Sequence, residues 1–189
     1  METLSFFSEK APTFEQLFTP NLHLYPAAPS ALNSITYCIL LNNDHIGFVN
    51  LFFQQNYSQV VLLPFIFDSY RSNGYGAEAL KEILKTLFNN SPHLNCFIIL
   101  ETNKEKTKGN IAQKRVLEKL GFRFLYNYSF ILKKNYRNYQ DKFFFNYLNN
   151  LKNLKKSFKE LKFNEKEKKF YLDIYTLNSQ NFNSLWGEV

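Results

Sequence analysis

Hydrophobic and polar positions change period several times along this chain, and each change marks an element. Ile35–Leu41, Ile46–Phe53 and Val60–Phe67 are short, nearly continuous apolar runs. Asn42-Asn43-Asp44 and Gln55-Asn56-Tyr57-Ser58 separate them as turns, so the three read as strands of a sheet buried on both faces. From Gly76 to Phe88 the period becomes helical. Leu80, Ile83, Leu84, Leu87 and Phe88 line one side, Glu78, Lys81, Glu82 and Lys85 the other, and Pro92 stops the helix. Cys96–Glu101 is a further buried strand, and Asn110–Leu120 a second amphipathic helix closed by Gly121 at its C-terminal cap.

The two ends of the chain are less regular. Thr13–Phe18, bracketed by Pro12 and Pro20, reads as a short helix, and Pro26 and Pro29 punctuate an irregular loop after it. Phe122–Leu132 and Tyr139–Leu148 read as an antiparallel hairpin around Asn135-Tyr136-Arg137-Asn138. Leu148, Leu151, Leu154, Phe158 and Leu161 recur at helical spacing opposite a lysine-rich side. Phe170–Leu177 adds a strand-like run, and the last dozen residues look frayed. The order β-β-β-α-β-α-β-β describes an α+β or α/β domain with a mixed sheet. The expected division is a domain over 1–148 and a basic amphipathic extension over 149–189, packed on that domain or on a second subunit as a homodimer.

Composition narrows the class. With 189 residues, 45% of them hydrophobic, the chain is long enough to bury a core without disulfide or metal staples. No apolar run approaches the roughly 20 residues that cross a bilayer, and the start lacks the pattern of an export signal. Cys38 and Cys96 lie inside apolar runs, as reduced cysteines of a cytoplasmic protein do, and with three scattered histidines they make no zinc site. His23, His45 and His93 read as solvated loop residues. The net charge of +7 is concentrated: between Lys133 and Lys169 stand twelve basic residues against four acidic. A basic stretch attracts nucleic acid or phosphates, but charge runs more often keep a face wet, so nucleic acid is not the favoured partner.

Two segments carry chemistry. Arg71-Ser72-Asn73-Gly74-Tyr75-Gly76 follows a strand and opens a helix. There, glycines permit a tight turn that aims consecutive N–H groups at one point, and the helix N-terminus adds partial positive charge, which together suit a phosphate or pyrophosphate. Asn110-Ile111-Ala112-Gln113-Lys114-Arg115-Val116-Leu117-Glu118-Lys119-Leu120-Gly121-Phe122 resembles the Asn-x-x-Ser-x-x-Val-Leu-Glu-Lys-x-Gly-Phe motif of the GNAT N-acetyltransferase superfamily. Arg71–Gly76 and the following Glu78-Ala79-Leu80 match that family's Arg/Gln-x-x-Gly-x-Gly/Ala loop, and residues 139–148 resemble a closing strand. The likeness is nearest to the branch that acetylates ribosomal-protein N-termini, and it covers about residues 35 to 148 in order.

The resemblance implies a GNAT-like α+β fold, mostly antiparallel, with flanking helices and an added C-terminal helical tail. It implies an N-acetyltransferase that takes acetyl-CoA as cosubstrate, needs no metal, and acts on a primary amine at a protein or peptide N-terminus or on a small molecule. It further implies a sheet that splays between Val60–Phe67 and Cys96–Glu101. The pyrophosphate then rests on the backbone of Arg71, Ser72, Asn73, Gly74, Tyr75 and Gly76, the pantetheine arm pairs with Phe65, Ile66 and Phe67, and Asn110 lies near the cofactor tail. Glu101, ending its strand, is the expected general base for the amine; the rival reading is a carboxylate paired with Lys104, Lys106 or Lys108. The family's usual acid positions hold Gln113 and Leu117, neither of which donates as an acid, which leaves Tyr126 and Tyr128 on the following strand. Thr102–Gly109 reads as an insertion bordering the cleft. The alternatives are an acetyltransferase directed at tRNA and a non-catalytic CoA-binding or interaction protein.

Overall fold

A computed structural model of the chain describes residues 15–27, 33–53, 57–102, 107–133 and 167–187. Among these residues eight strands form one sheet: β1 (Leu17–Phe18), β2 (His23–Ala27), β3 (Ser34–Leu41), β4 (Asp44–Phe53), β5 (Gln59–Ile66), β6 (Asn95–Thr102), β7 (Arg123–Lys133) and β8 (Glu167–Asn178). Among the described residues three α-helices accompany them: α1 (Tyr75–Asn90), α2 (Thr107–Lys119) and α3 (Ser179–Trp186). The sheet order is β1-β2-β3-β4-β5-β6-β8-β7. Every pairing is antiparallel except β5 with β6, the pair that α1 connects. This is the expected mixed, mostly antiparallel α+β sheet.

Local chemistry accounts for the connections. Asn42 and Asn43 both adopt positive φ, 52° and 71°, the conformation that a two-residue hairpin between β3 and β4 demands. The helical stripe of α1 is buried as its spacing predicts, through Ala79, Leu80, Ile83, Leu84, Leu87 and Phe88, each large apolar side chain contributing about 1.5–3 kcal/mol. α2 ends in a Schellman motif: Gly121 N–H donates to Glu118 and Phe122 N–H to Leu117, with Gly121 at φ 93°. The helices share a core on one face of the sheet with Val60, Leu62, Cys96, Ile98, Tyr175 and Leu177. A smaller cluster, Val61, Ile99, Leu172 and Ile174, is separate from it. Both cysteines are free, and Cys96 is buried deeply enough to push its thiol pKa well up.

Several expectations are corrected. Leu17–Phe18 is a strand paired with Leu24 and His23 rather than the end of a helix. A six-residue stretch is too short to hold a helix on its own, and the turn through Thr19–Leu22 makes pairing available. Pro26 lies on β2, past the end of β1, where that edge of the strand requires no N–H. β7 pairs along its length with β8, from Arg123 opposite Thr176 to Lys133 opposite Glu167. That pairing stands beside the expected hairpin with Tyr139–Leu148 and does not correct it, because residues 139–148 lie outside the described residues, as does the stripe 148–161. The chain's end is the helix α3, capped by the Asn178 side chain accepting from Asn181 N–H, and Phe182 packs on Phe88 with ring centroids 5.4 Å apart. β8 thus lies inside the sheet rather than beside it. α2 also begins at Thr107, so the expected insertion over Thr102–Gly109 is in part the end of β6 and the first turn of a helix.

Candidate active site

The split in the sheet begins at one residue pair. β5 and β6 pair only from Gln59 with Asn95 to Leu62 with Ile98; beyond, Leu63–Ile66 stay on β4 and Ile99–Thr102 on β8. Pro64 supplies a sequence cause. Phe67 N–H donates to Ile46 on β4 at 2.9 Å, and alternate residues of a strand turn their backbone groups to opposite sides. Leu62, Pro64 and Ile66 therefore address β6, and Pro64 has no N–H to continue the ladder. The open edge offers the carbonyl of Pro64 and the N–H of Ile66. The Ile66 carbonyl is held by Arg71 Nε at 2.9 Å.

Where β5 ends, the chain makes a 3-10 turn over Asp68–Tyr70 and enters the loop Arg71–Gly76. Ser72 and Gly74 adopt φ of 68° and 85°, and Gly74 is the N-cap of α1. Ala77 and Glu78 N–H turn back to the Gly74 carbonyl. Among the described residues, the N–H groups of Ser72, Asn73, Gly74, Tyr75 and Gly76 have no protein acceptor, as expected at a helix start. A Cβ on Gly74 would meet nothing within 4 Å, so this side of the loop is open. The Arg71 side chain is engaged elsewhere, with Asp68 at 2.7 Å and over the Phe65 ring at 5.5 Å. The anion-binding capacity of the loop therefore resides in its backbone, and the donor set fits a pyrophosphate.

Phe65 stacks with Phe48 and meets Phe67 edge-on, at centroid distances of 5.2 and 5.8 Å. Glu78, in the first turn of α1, is tied to the β1–β2 turn by Thr19 Oγ1 and by the backbone and side chain of Asn21. Burial raises its pKa, but these hydrogen bonds outweigh burial and leave it lowered.

The remaining candidates fall on the far wall. Glu101 stands on the splayed part of β6, opposite Leu172 of β8, and Leu172 is opposite Tyr128 of β7. Two residues along the strands, the row on the same face is Ile99, Ile174, Tyr126. The two tyrosines are thus in register with the end of β6 but one strand further away than a following strand would be, because β8 intervenes. With strands spaced about 4.8 Å apart, Tyr128 and Glu101 are about 10 Å apart at the backbone. Tyr126 is exposed. Asn110 lies in the first turn of α2; Gln113 is exposed and Leu117 is buried in the core.

One cluster escaped the sequence reading. Asp173, 6% exposed in the middle of β8, takes Lys114 Nζ of α2 on one oxygen and Asn127 Nδ2 of β7, at 2.7 Å, on the other. Asp173 holds the Lys114 pKa above its ordinary value, mainly through their hydrogen bond. The only hint in the sequence is an aspartate inside the apolar run Phe170–Leu177, and nothing local identifies its partners. Among the described residues, no group of three or more histidine, cysteine, aspartate or glutamate side chains is arranged to hold a metal, and no helix is long and apolar enough to cross a membrane.

Comparison with known proteins is consistent with this geometry. Residues 11–123 match the sequence profile of the Acetyltransferase (GNAT) domain. A crystal structure of a protein described as an acetyltransferase superposes with a TM-score of 0.60 at 12% identity, over 93% of this chain and 92% of that one. A chimera of the Vibrio cholerae spermidine N-acetyltransferase SpeG and hSSAT has a TM-score of 0.50 at 9% identity, over 79% and 69%. The Salmonella typhimurium acetyl transferase that modifies the N-terminal serine of ribosomal protein L7/L12 has a TM-score of 0.48 at 11% identity, over 77% and 64%. At such identities the likeness is one of fold. Comparison with curated proteins gives no match.

Proposed function

Because the chain belongs to the GNAT acetyltransferase family, we propose that it transfers the acetyl group of acetyl-CoA to a primary amine on a protein or peptide N-terminus or on a small molecule. The observation that carries this reading is a single conjunction: the sheet opens past Leu62 and Ile98, and the unpaired N–H groups of residues 72–76 stand where β5 leaves that opening. Those N–H groups take the pyrophosphate. The strand edge left open by Pro64 takes the pantetheine arm beside Phe65, Ile66 and Phe67, and Asn110 borders the tail. Bound acetyl-CoA supplies the activated acyl group.

An amine is mostly protonated at neutral pH and must lose its proton before it attacks. Glu101, at the end of the splayed wall, accepts that proton, directly or through water. The Ile66 N–H donates to the acyl carbonyl as charge develops there. Tyr126 or Tyr128 returns a proton to the departing thiolate. The chain's net charge of +7 disfavours a polycationic acceptor through like-charge repulsion.

Calorimetric titration with acetyl-CoA and desulfo-CoA, with ATP as the control, tests the cofactor half. Micromolar binding of both CoA forms without ATP binding is expected, and no binding at millimolar cofactor defeats the reading. Glu101→Gln is expected to lower kcat about 10²–10⁴-fold, the usual contribution of a general base, while CoA affinity is retained. Unchanged turnover with the acceptor rules out Glu101 as the base.

A further inference from the structure

We infer that Lys114 and Asp173 form a positioning pair, which holds the first half of α2, and Asn110 with it, against the splayed half of β6 and thereby sets the gap that receives the cofactor arm. The argument starts from how α2 is anchored. Its second half is held by apolar burial: Leu117 and Leu120 are in the core, with Val116 packed against it. Among the described side chains of its first half, ahead of Val116, none lies in that core. Ile111, Ala112, Gln113 and Arg115 are all exposed, Ile111 to 46%. Among the described residues of that half, Lys114 alone reaches the sheet, through Asp173.

The level at which it does so matters. Asp173 is opposite Leu100, inside the segment Ile99–Thr102 where β6 has parted from β5. Along α2, Lys114 and Asn110 are four residues apart and share one face of the helix. Only residues 103–106 separate the end of β6 from the start of α2. One ion pair therefore ties together the splayed strand's neighbour, the helix that follows it and the turn that carries Asn110. Asn127 takes the second carboxylate oxygen, which fixes the orientation of the acceptor that Lys114 meets.

A buried carboxylate is costly to desolvate, and an apolar pair of similar volume is often as stable. Folding alone therefore gives no reason for an aspartate in the middle of β8, whereas directional anchoring of a polar helix half does. This role rests on the cofactor reading given above and adds two residues to it.

The test uses the full chain and desulfo-CoA as the probe. The double variant Lys114→Met/Asp173→Leu removes both charges and leaves no buried charge unpaired. It is expected to melt within a few degrees of wild type yet bind desulfo-CoA about 10- to 100-fold more weakly, the scale of loss that an ångström of misplacement produces. The KM for acetyl-CoA should rise in parallel and kcat change less than threefold. Lys114→Arg, which keeps the pair, should recover the affinity, and hydrogen exchange in the double variant should quicken at residues 108–114 while β3 and β4 stay protected. Wild-type affinity in the folded double variant overturns the proposal. So does an affinity loss that only tracks a fall in melting temperature and a sheet-wide loss of protection, since that is a structural role alone. A wild-type chain that binds no CoA overturns the cofactor reading itself, and this role with it.

Discussion

Gly47 illustrates how a single backbone position supports the candidate site. A Cβ added there would lie 2.2 Å from the Phe65 carbonyl oxygen and 3.0 Å from the Ile66 Cα, both backbone atoms of β5 that no side-chain rotation moves. Only glycine permits so close an approach, and the residues approached are those of the open strand edge. Gly47→Ala is expected to cost about 1–3 kcal/mol by overpacking, read as a fall of several degrees in melting temperature, together with weaker desulfo-CoA binding. Glu78 gives a pH prediction. Its folded carboxyl lies below the ordinary value of 4.5, so its hydrogen bonds to Thr19 and Asn21 stabilise the fold above that pH and are lost as pH falls through the lowered value. Glu78→Gln should lower the melting temperature at neutral pH and flatten its acid-side decline. A variant that melts like wild type at pH 7 contradicts this. At this scale the sequence showed candidate types and their spacing. It did not show that Gly47 abuts β5 or that Asp173 meets Lys114, because those contacts join residues far apart in the chain.

Elements differ in how much of them could be read. The stripe of α1 and the Gly121 cap of α2 were legible because helical periodicity and left-handed backbone conformations are properties of consecutive residues. The loop Arg71–Gly76 was legible for the same reason, down to the left-handed Gly74. A Cβ on Gly76 already lies 3.3 Å from Ile66 Cγ1, so a large side chain there crowds Ile66 at the end of the open strand edge, beside the loop. Gly76→Trp should abolish measurable desulfo-CoA binding and leave the circular dichroism spectrum close to wild type; calorimetry reads the first and a far-ultraviolet scan the second. Retained affinity would remove the phosphate role from this loop. Strand partners were less legible. Phe170–Leu177 carries a strand-like pattern, but its insertion between β6 and β7 and its register there depend on which faces are buried together, which no local rule supplies.

At the scale of the whole molecule, β8 and α3 complete the sheet and its core rather than decorate it. Leu172, Ile174, Tyr175, Leu177 and Phe182 are all buried; at about 1.5–3 kcal/mol for each large apolar side chain, their loss equals the roughly 5–15 kcal/mol that keeps a typical domain folded. A chain ending at residue 166 is therefore expected to be unfolded or insoluble, and residues 1–148 alone likewise. Circular dichroism of the purified fragments checks this, and a cooperative melt from either would refute it. The sequence by itself determined the class of fold, the two main helices with the C-terminal cap of α2, the glycine turn that opens α1 and the family resemblance, since each follows from spacing and backbone preference within a short stretch. The tertiary structure decided the strand order, the opening between β5 and β6, the row that joins Glu101 to Tyr128 through Leu172, and the ion pair beneath α2. Each of these depends on which distant segments bury their apolar faces together, and that choice is made by the whole chain at once.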